Sequence, residues 1–342
     1  MFVVRPVELT DIASLEKLAA VTMPGVHTLP RTRGEIAASV ERSIASFAAH
    51  VDIPSEESYV FVLEDQSGSI AGTAAIHASA GSNGTYFSFR NDVIQQVSRD
   101  LNISHSVHAL TLCSELTAYS QLSGYYISNR EQAGIEAALL SRARLLFAVL
   151  APHRFGDRFF VPLAGITDNA GQSPFWDALG RKFFKMDFLD AERVIGGARN
   201  RTLIVELMPH YPVYVPLLPG DAQAAMGQIH PDGELAFGLL TEEGFEADDY
   251  IDIFDGGPIL QAHKNSLRTF GASMVRRVAE AGPGAASDVL VTYAVAASSE
   301  QNFRAITVAC PSAEAGDSVQ LPSDALAALM VAPGDNVICV RI

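Results

Sequence analysis

Residues 128–150 read SNREQAGIEAALLSRARLLFAVL, and the way this stretch begins decides what kind of α/β chain it belongs to. Its second half is helical, with Leu139, Ala143, Leu146 and Leu150 on one apolar stripe. The preceding GYYI is an apolar run of strand character. Strand, loop and helix in that order can bind an anion, because free backbone N–H groups and the helix dipole meet at the helix start. Glycine and a cation would suit such a loop, but Glu131 and Glu136 stand there. Ser128-Asn129-Arg130-Glu131 also fits a capping box, Ser128 accepting from the N–H of Glu131 and Glu131 returning to the backbone of Ser128. That reading predicts a self-capped helix starting near Asn129.

Working outward, Phe2–Val4 is a first strand, ended by Arg5-Pro6. Ile12, Leu15, Leu18 and Ala19 form a helical pattern that Thr10 can cap, and a second helix fits Arg33–Ala49. Tyr59–Leu63, the turn cluster EDQSGS and Ile70–Ile76 predict a hairpin. Two more apolar runs, LTLC and GYYI, lie within 107–127; Phe159–Ile166 reads as a strand and SPFWDALGRKFF as a helix capped by Ser173 with Pro174 in its first turn. VELMPHYPVYVPLLP reads as extended, DAQAAMGQI as helical and YIDIFD as a strand. The order β-α-α-β-β-β-α-β-α predicts an α/β chain with a mixed sheet rather than an even βαβ repeat. Past residue 274, AGPGAAS looks like a linker, and VLVTYAVAA, FRAITVA and NVICVRI look like strands. The division expected is an α/β region over 1–274 and a small mostly-β tail over 275–342.

The chain has 342 residues, 48% of them hydrophobic, which suffices for a sizeable core. A net charge of −15 argues against a broad nucleic-acid footprint, which needs clustered cations. Cys113, Cys310 and Cys339 are odd in number and widely spaced, so neither a disulfide framework nor a thiolate zinc site is expected. No run reaches 18 apolar residues and MFVVRPVELTD carries no cleavage pattern, so the expectation is a soluble, cytoplasmic protein without membrane contact. No P-loop, Rossmann fingerprint, HExxH or GxSxG motif occurs. His105 and His108 alone are a weak metal signal, and no metal is expected.

The loop and helix at 131–140 resemble the acyl-CoA pocket of the acyl-CoA N-acyltransferase fold, where a [Q/R]-x-x-G-x-[G/A] loop opens a helix. Gly134-Ile135-Glu136-Ala137-Ala138-Leu139-Leu140 follows its later half, while Glu131 and Glu136 depart from it. Over a wider span, ALTLCSELTAYSQLSGYYI, SPFWDALGRKFF, VELMPHYPVYVPLLP, GQIHP and EGFEADDYIDIFDGGPIL together resemble the arginine N-succinyltransferase family. The segment GYYISNREQ and the tail are most similar to the alpha chains of its arginine/ornithine enzymes, which pair with a beta subunit that keeps the glycine-rich loop.

The resemblance implies an acyl-CoA N-acyltransferase-like fold with extra α/β elements and a small C-terminal β domain. It implies succinyl transfer from succinyl-CoA to the α-amine of L-arginine or L-ornithine in arginine catabolism. No permanently bound cofactor is implied, since succinyl-CoA is a co-substrate. The family's proton donor falls on His230 of the GQIHP block, and its succinyl-CoA contact on Leu122. An imidazole titrating near neutrality suits the step, because the amine must lose a proton and the departing sulfur must gain one. For the guanidinium, Glu115, Asp249, Asp252 and Asp255 are the acids in family blocks; for the succinyl carboxylate, Arg90 is the cation of choice. Cys113 sits in an apolar run and is expected to be an inert thiol. The alternative, favoured by the two glutamates and opposed by the retained GQIHP block, is a structural or regulatory chain supporting a catalytic beta subunit.

Overall fold

The computed structural model describes residues 1–21, 32–195, 201–280, 290–314 and 316–342. Its strands are β1 (Val3–Pro6), β2 (Ser58–Glu64), β3 (Ile70–His77), β4 (Ser88–Ser98), β5 (Ile103–Cys113), β6 (Ser120–Ile127), β7 (Arg158–Pro162), β8 (Val213–Tyr214), β9 (Glu246–Ile251), β10 (Pro258–His263), β11 (Met274–Glu280), β12 (Leu290–Ala297), β13 (Ala305–Pro311), β14 (Ser318–Leu321) and β15 (Asn336–Arg341). They join into one sheet of order β14-β11-β15-β12-β13-β1-β2-β3-β6-β7-β10-β9-β4-β5-β8. β6 runs parallel to β7 and β11 parallel to β14, while the other described pairs are antiparallel, so the sheet is mixed.

The helix Ile135–Leu150 organises the larger core. Instead of one buried stripe, every residue from Ala137 to Ala148 is buried, so the helix is enclosed by the sheet on one side and by the helices Glu234–Glu243 and Arg268–Ala272 on the other. Phe147 lies 4.9–5.9 Å, centroid to centroid, from Phe47, Tyr59, Phe61, Phe155 and Phe303. These rings come from both the N-terminal hairpin and the C-terminal segment, so truncating Phe147 to alanine costs about 3–5 kcal/mol across both. β13 pairs with β1 through Val3–Ile306 and Val4–Ala305, while β11 to β15 and the helix Ser323–Leu329 enclose a cluster of their own around Tyr293, Val295 and Ile306. The AGPGAAS linker lies outside the described residues.

Several expected elements shift. Thr10 does not cap the first helix; it lies inside a 3₁₀ turn, Leu9–Asp11, that leads into the helix and is closed by Asp11, which accepts from the N–H of Glu8 at 2.8 Å while paired with Arg5. The long β4–β5 ribbon contains β4, a strand that went unread because Arg90-Asn91-Asp92 interrupt its apolar pattern and its outer half is largely exposed, Val93 and Val97 included. VELMPHYPVYVPLLP opens inside the helix Arg201–Leu207 and contains only the short β8, and YIDIFD leaves its strand at Ile251 for a turn. SPFWDALGRKFF breaks at Leu179 into Pro174–Ala178 and Gly180–Phe184, although Ser173 caps as expected, accepting from the N–H of Trp176 at 3.2 Å. Among the described residues, no helix is long and apolar enough to cross a membrane.

Candidate functional site: the gap between two parallel strands

β6 and β7 are paired only at Ser120–Phe159 and Gln121–Phe160. From Leu122 onward β6 carries no pairing to β7 among the described residues, while β7 keeps its antiparallel pairing to β10 on its other edge through Pro162. The cause is local. The β3–β6 register slips between Thr73 and Ala75, opposite Gly124, whose φ of +58° is accessible to glycine without strain. Such a bulge bends its strand and increases its twist, which turns β6 away from β7. Leu122 is therefore the first residue at the opening. Its side chain is fully buried against the central helix, so only its backbone can meet a molecule in the gap.

Two segments meet where the gap widens, beyond the carboxyl ends of both strands. After β6 comes the loop 128–134; after β7 come Leu163–Gly165. The GQIHP block joins them. Ile229 bridges Gly165, and the N–H of His230 donates to the carbonyl of Ala164 at 2.8 Å. On the other side, the Asp232 carboxylate is ion-paired with Arg130 of the loop. His230 is buried, and its Nδ1 accepts from the N–H of Asp232 at 3.1 Å. That bond occupies the Nδ1 lone pair, so a neutral His230 carries its proton on Nε2. The arrangement leaves Nε2–H as the hydrogen-bond donor of the neutral ring.

The segment after β7 is itself fixed by Asp255. One carboxylate oxygen accepts from the N–H of Gly165 at 2.8 Å and the other from the N–H of Gly257 at 2.8 Å. A Cβ at Gly257 would come within 2.2 Å of the Leu163 carbonyl oxygen and 2.6 Å of the Gly165 nitrogen, so only glycine fits. Asp255 is thus a buried clamp for the backbone on which His230 hangs.

The capping box at 128–131 does not form. Ser128 Oγ donates to the Ala71 carbonyl at 2.8 Å, holding the loop to β3, and Arg130–Gln132 make a single 3₁₀ turn. The α-helix begins later, at Ile135, and Glu136 does the capping: its carboxylate accepts from the N–H of Gly134 at 3.0 Å. One of the two suspect glutamates therefore occupies a loop amide, though not by the predicted geometry.

Arg90 and Glu115 come together, but with each other. Arg90 pairs with Glu115 at 2.7 Å and with Asp92 at 2.8 Å; Tyr250 donates to the other oxygen of Glu115, and Thr111 to Asp92 at 2.7 Å. The Tyr250 hydrogen bond and the Arg90 charge hold the Glu115 carboxyl below its usual range. Asp252 caps its own turn, accepting from the N–H groups of Phe254 at 2.7 Å and Asp255 at 3.3 Å, and Asp249 lies exposed on β9. Burial pushes the Cys113 thiol up, and its sulfur sits 3.3 Å from Ser88 Oγ. His105 and His108, three apart on β5, point to opposite faces of the ribbon. Among the described residues no cluster of three or more His, Cys, Asp or Glu is arranged for a metal. Sequence reading missed Arg130 and Asp232. Their opposite charges beside two family blocks were the available signal, but nothing in the sequence brings positions 102 residues apart together.

Residues 2–269 match the family model described as arginine N-succinyltransferase beta subunit. The chain is 42% identical over 343 aligned residues to the arginine N-succinyltransferase subunit alpha of Pseudomonas aeruginosa, covering all of both chains. It is 34% identical to the arginine N-succinyltransferase of Escherichia coli, covering all of this chain and 98% of that one. Its structure is similar to that of arginine/ornithine succinyltransferase subunit AI from Pseudomonas aeruginosa, with a TM-score of 0.89 and 41% identity over all of this chain and 98% of that one. With a family model spanning most of the chain and full-length relatives well above 30% identity, this protein belongs to the arginine N-succinyltransferase family.

Proposed function

We propose that this chain is an acyltransferase that moves the succinyl group of succinyl-CoA to the α-amine of L-arginine or L-ornithine, as a step of arginine catabolism. The observation that carries the proposal is the placement of His230. It sits at the open end of the β6–β7 gap with Nδ1 occupied and Nε2 left to donate, in a chain whose full-length relatives bear the name of this reaction. A gap between two splayed parallel strands followed by a helix start is the arrangement expected of an acyl-CoA N-acyltransferase.

The thioester lies in the gap, its carbonyl beside the backbone of Leu122. The amine nitrogen attacks that carbonyl carbon, a C–N bond forms and the C–S bond breaks. His230 donates an Nε2–H hydrogen bond to the departing sulfur, stabilising its negative charge, and the proton that the amine nitrogen sheds passes to that sulfur. The products are the N2-succinyl amino acid and CoA, with the imidazole neutral throughout. A positioned donor at a site of developing charge contributes about 10²–10³-fold.

The chain acts in our reading with a related beta subunit, in line with the subunit names carried by its Pseudomonas aeruginosa relatives. One observation favours a second reading, that this chain supports catalysis by its partner: Glu136 occupies the Gly134 amide and adds negative charge where a pyrophosphate must sit. The test assays CoA release from succinyl-CoA and arginine by this chain alone, with its beta subunit, and with His230→Ala in each. Loss of turnover in the His230→Ala complex supports catalysis here. A fully active His230→Ala complex, with no succinyl-CoA binding by this chain alone, supports the second reading instead.

A further inference from the structure

Asp232 and Arg130 join the two segments that border the gap. Asp232 meets His230 through its backbone and Arg130 through its side chain, and Arg130 belongs to the loop that opens the central helix. The turn is otherwise short: the N–H of Gly233 returns to the His230 carbonyl at 2.7 Å, and Pro231 removes one donor from it. Ala164 holds the backbone of His230 from one side only, so nothing in that bond fixes the distance from the imidazole to the loop across the gap. The ion pair does. The Asp232 side chain is mostly buried and that of Arg130 about two-fifths exposed, so the contact is partly shielded from solvent.

We propose that Arg130 and Asp232 are a positioning pair for the reaction: their ion pair locks the 230–233 turn against the loop, which keeps the Asp232 N–H on His230 Nδ1 and Nε2–H aimed into the gap. This rests on the reading of His230 as the donor to the departing sulfur. Neither residue touches the reacting atoms in this account. Their effect passes through the tautomer and orientation of the imidazole.

The experiment compares Arg130→Met, Arg130→Lys, Asp232→Asn, the Arg130→Met/Asp232→Asn double variant and His230→Gln, each assembled with its beta subunit. Positioning predicts that Arg130→Met and Asp232→Asn each lower kcat about tenfold, with the KM for succinyl-CoA changed less than about twofold. The double variant should be no worse than either single one, because both break one contact, and Arg130→Lys should recover most of the loss. Imidazole nitrogen NMR gives a readout independent of turnover: neutral His230 in the native chain should carry its proton on Nε2 alone, and Arg130→Met and Asp232→Asn should each show mixed tautomers. A rise in the KM for succinyl-CoA with kcat intact would overturn the proposal, making Arg130 a direct ligand contact. Losses that multiply in the double variant, or an unchanged tautomer, would overturn it as well. His230→Gln separates the two ideas. If it is inactive while the pair variants are normal, only the positioning fails; if it is fully active, the reading of His230 as donor to the sulfur fails.

Discussion

The turn at 230–233 and the ribbon around Arg90 each join an arginine to a carboxylate, and they differ in what the pairing leaves over. In the ribbon, Arg90, Asp92, Glu115, Tyr250 and Thr111 satisfy one another on a largely solvated surface. At the turn, Arg130 and Asp232 satisfy one another while His230, buried between them and Ala164, keeps one nitrogen free of the contacts described. Charge complementarity alone does not mark a site. What marks this one is a titratable side chain whose backbone and one nitrogen are fixed, placed where two paired strands separate.

The comparison predicts a graded series. His230→Gln should produce the largest effect, a loss of turnover of about 10²–10³-fold with the thermal midpoint preserved; a loss below tenfold would erase the difference between the two regions. Gly257→Ala comes next. Its methyl group must displace the 163–165 backbone that carries His230, so stability should fall by about 1–3 kcal/mol, together with turnover. A variant as stable and active as the native enzyme would show that this backbone does not hold the turn.

The ribbon should respond weakly. Arg90→Ala and Glu115→Gln should leave turnover within about twofold, and each should cost about 0–1 kcal/mol, as exposed ion pairs do. The Glu115 carboxyl is held below its usual range, so its small stabilisation is complete above about pH 4 and declines as pH falls through its lowered value. Denaturation of Glu115→Gln should lack that part of the acid dependence; an equal loss in both proteins would remove the ribbon network from the stability account. Cys113→Ala marks the bottom of the series. Its thiol is pushed up by burial and does not supply a thiolate nucleophile, so native turnover is expected, and a dead but folded variant would point to an acyl-enzyme.

Periodicity and turn chemistry made much of this molecule legible. The helix over 135–150, the β2–β3 hairpin and the Ser173-Pro174 start were readable because each depends on neighbours in sequence. The opening of the central helix was not. Ser128 had two acceptable partners, a local amide and a carbonyl 57 residues away, and packing against β3 selected the distant one. Arg90 and Glu115 were chosen by charge type, and charge type does not report that the fold pairs them with each other across β4 and the turn after β5. His230 was legible only through the family block that contains it. Its partners Asp232 and Arg130 depend on a gap that opens because Gly124 bends one strand, which no local pattern reports.

The central claim concerns the gap itself, and a crystal structure of the assembled enzyme with CoA tests it most directly. The prediction is a thiol lying between β6 and β7 beside the Leu122 backbone, with its sulfur within hydrogen-bonding reach of His230 Nε2. CoA bound only to the partner chain, or in this chain with its sulfur turned away from His230, would contradict it.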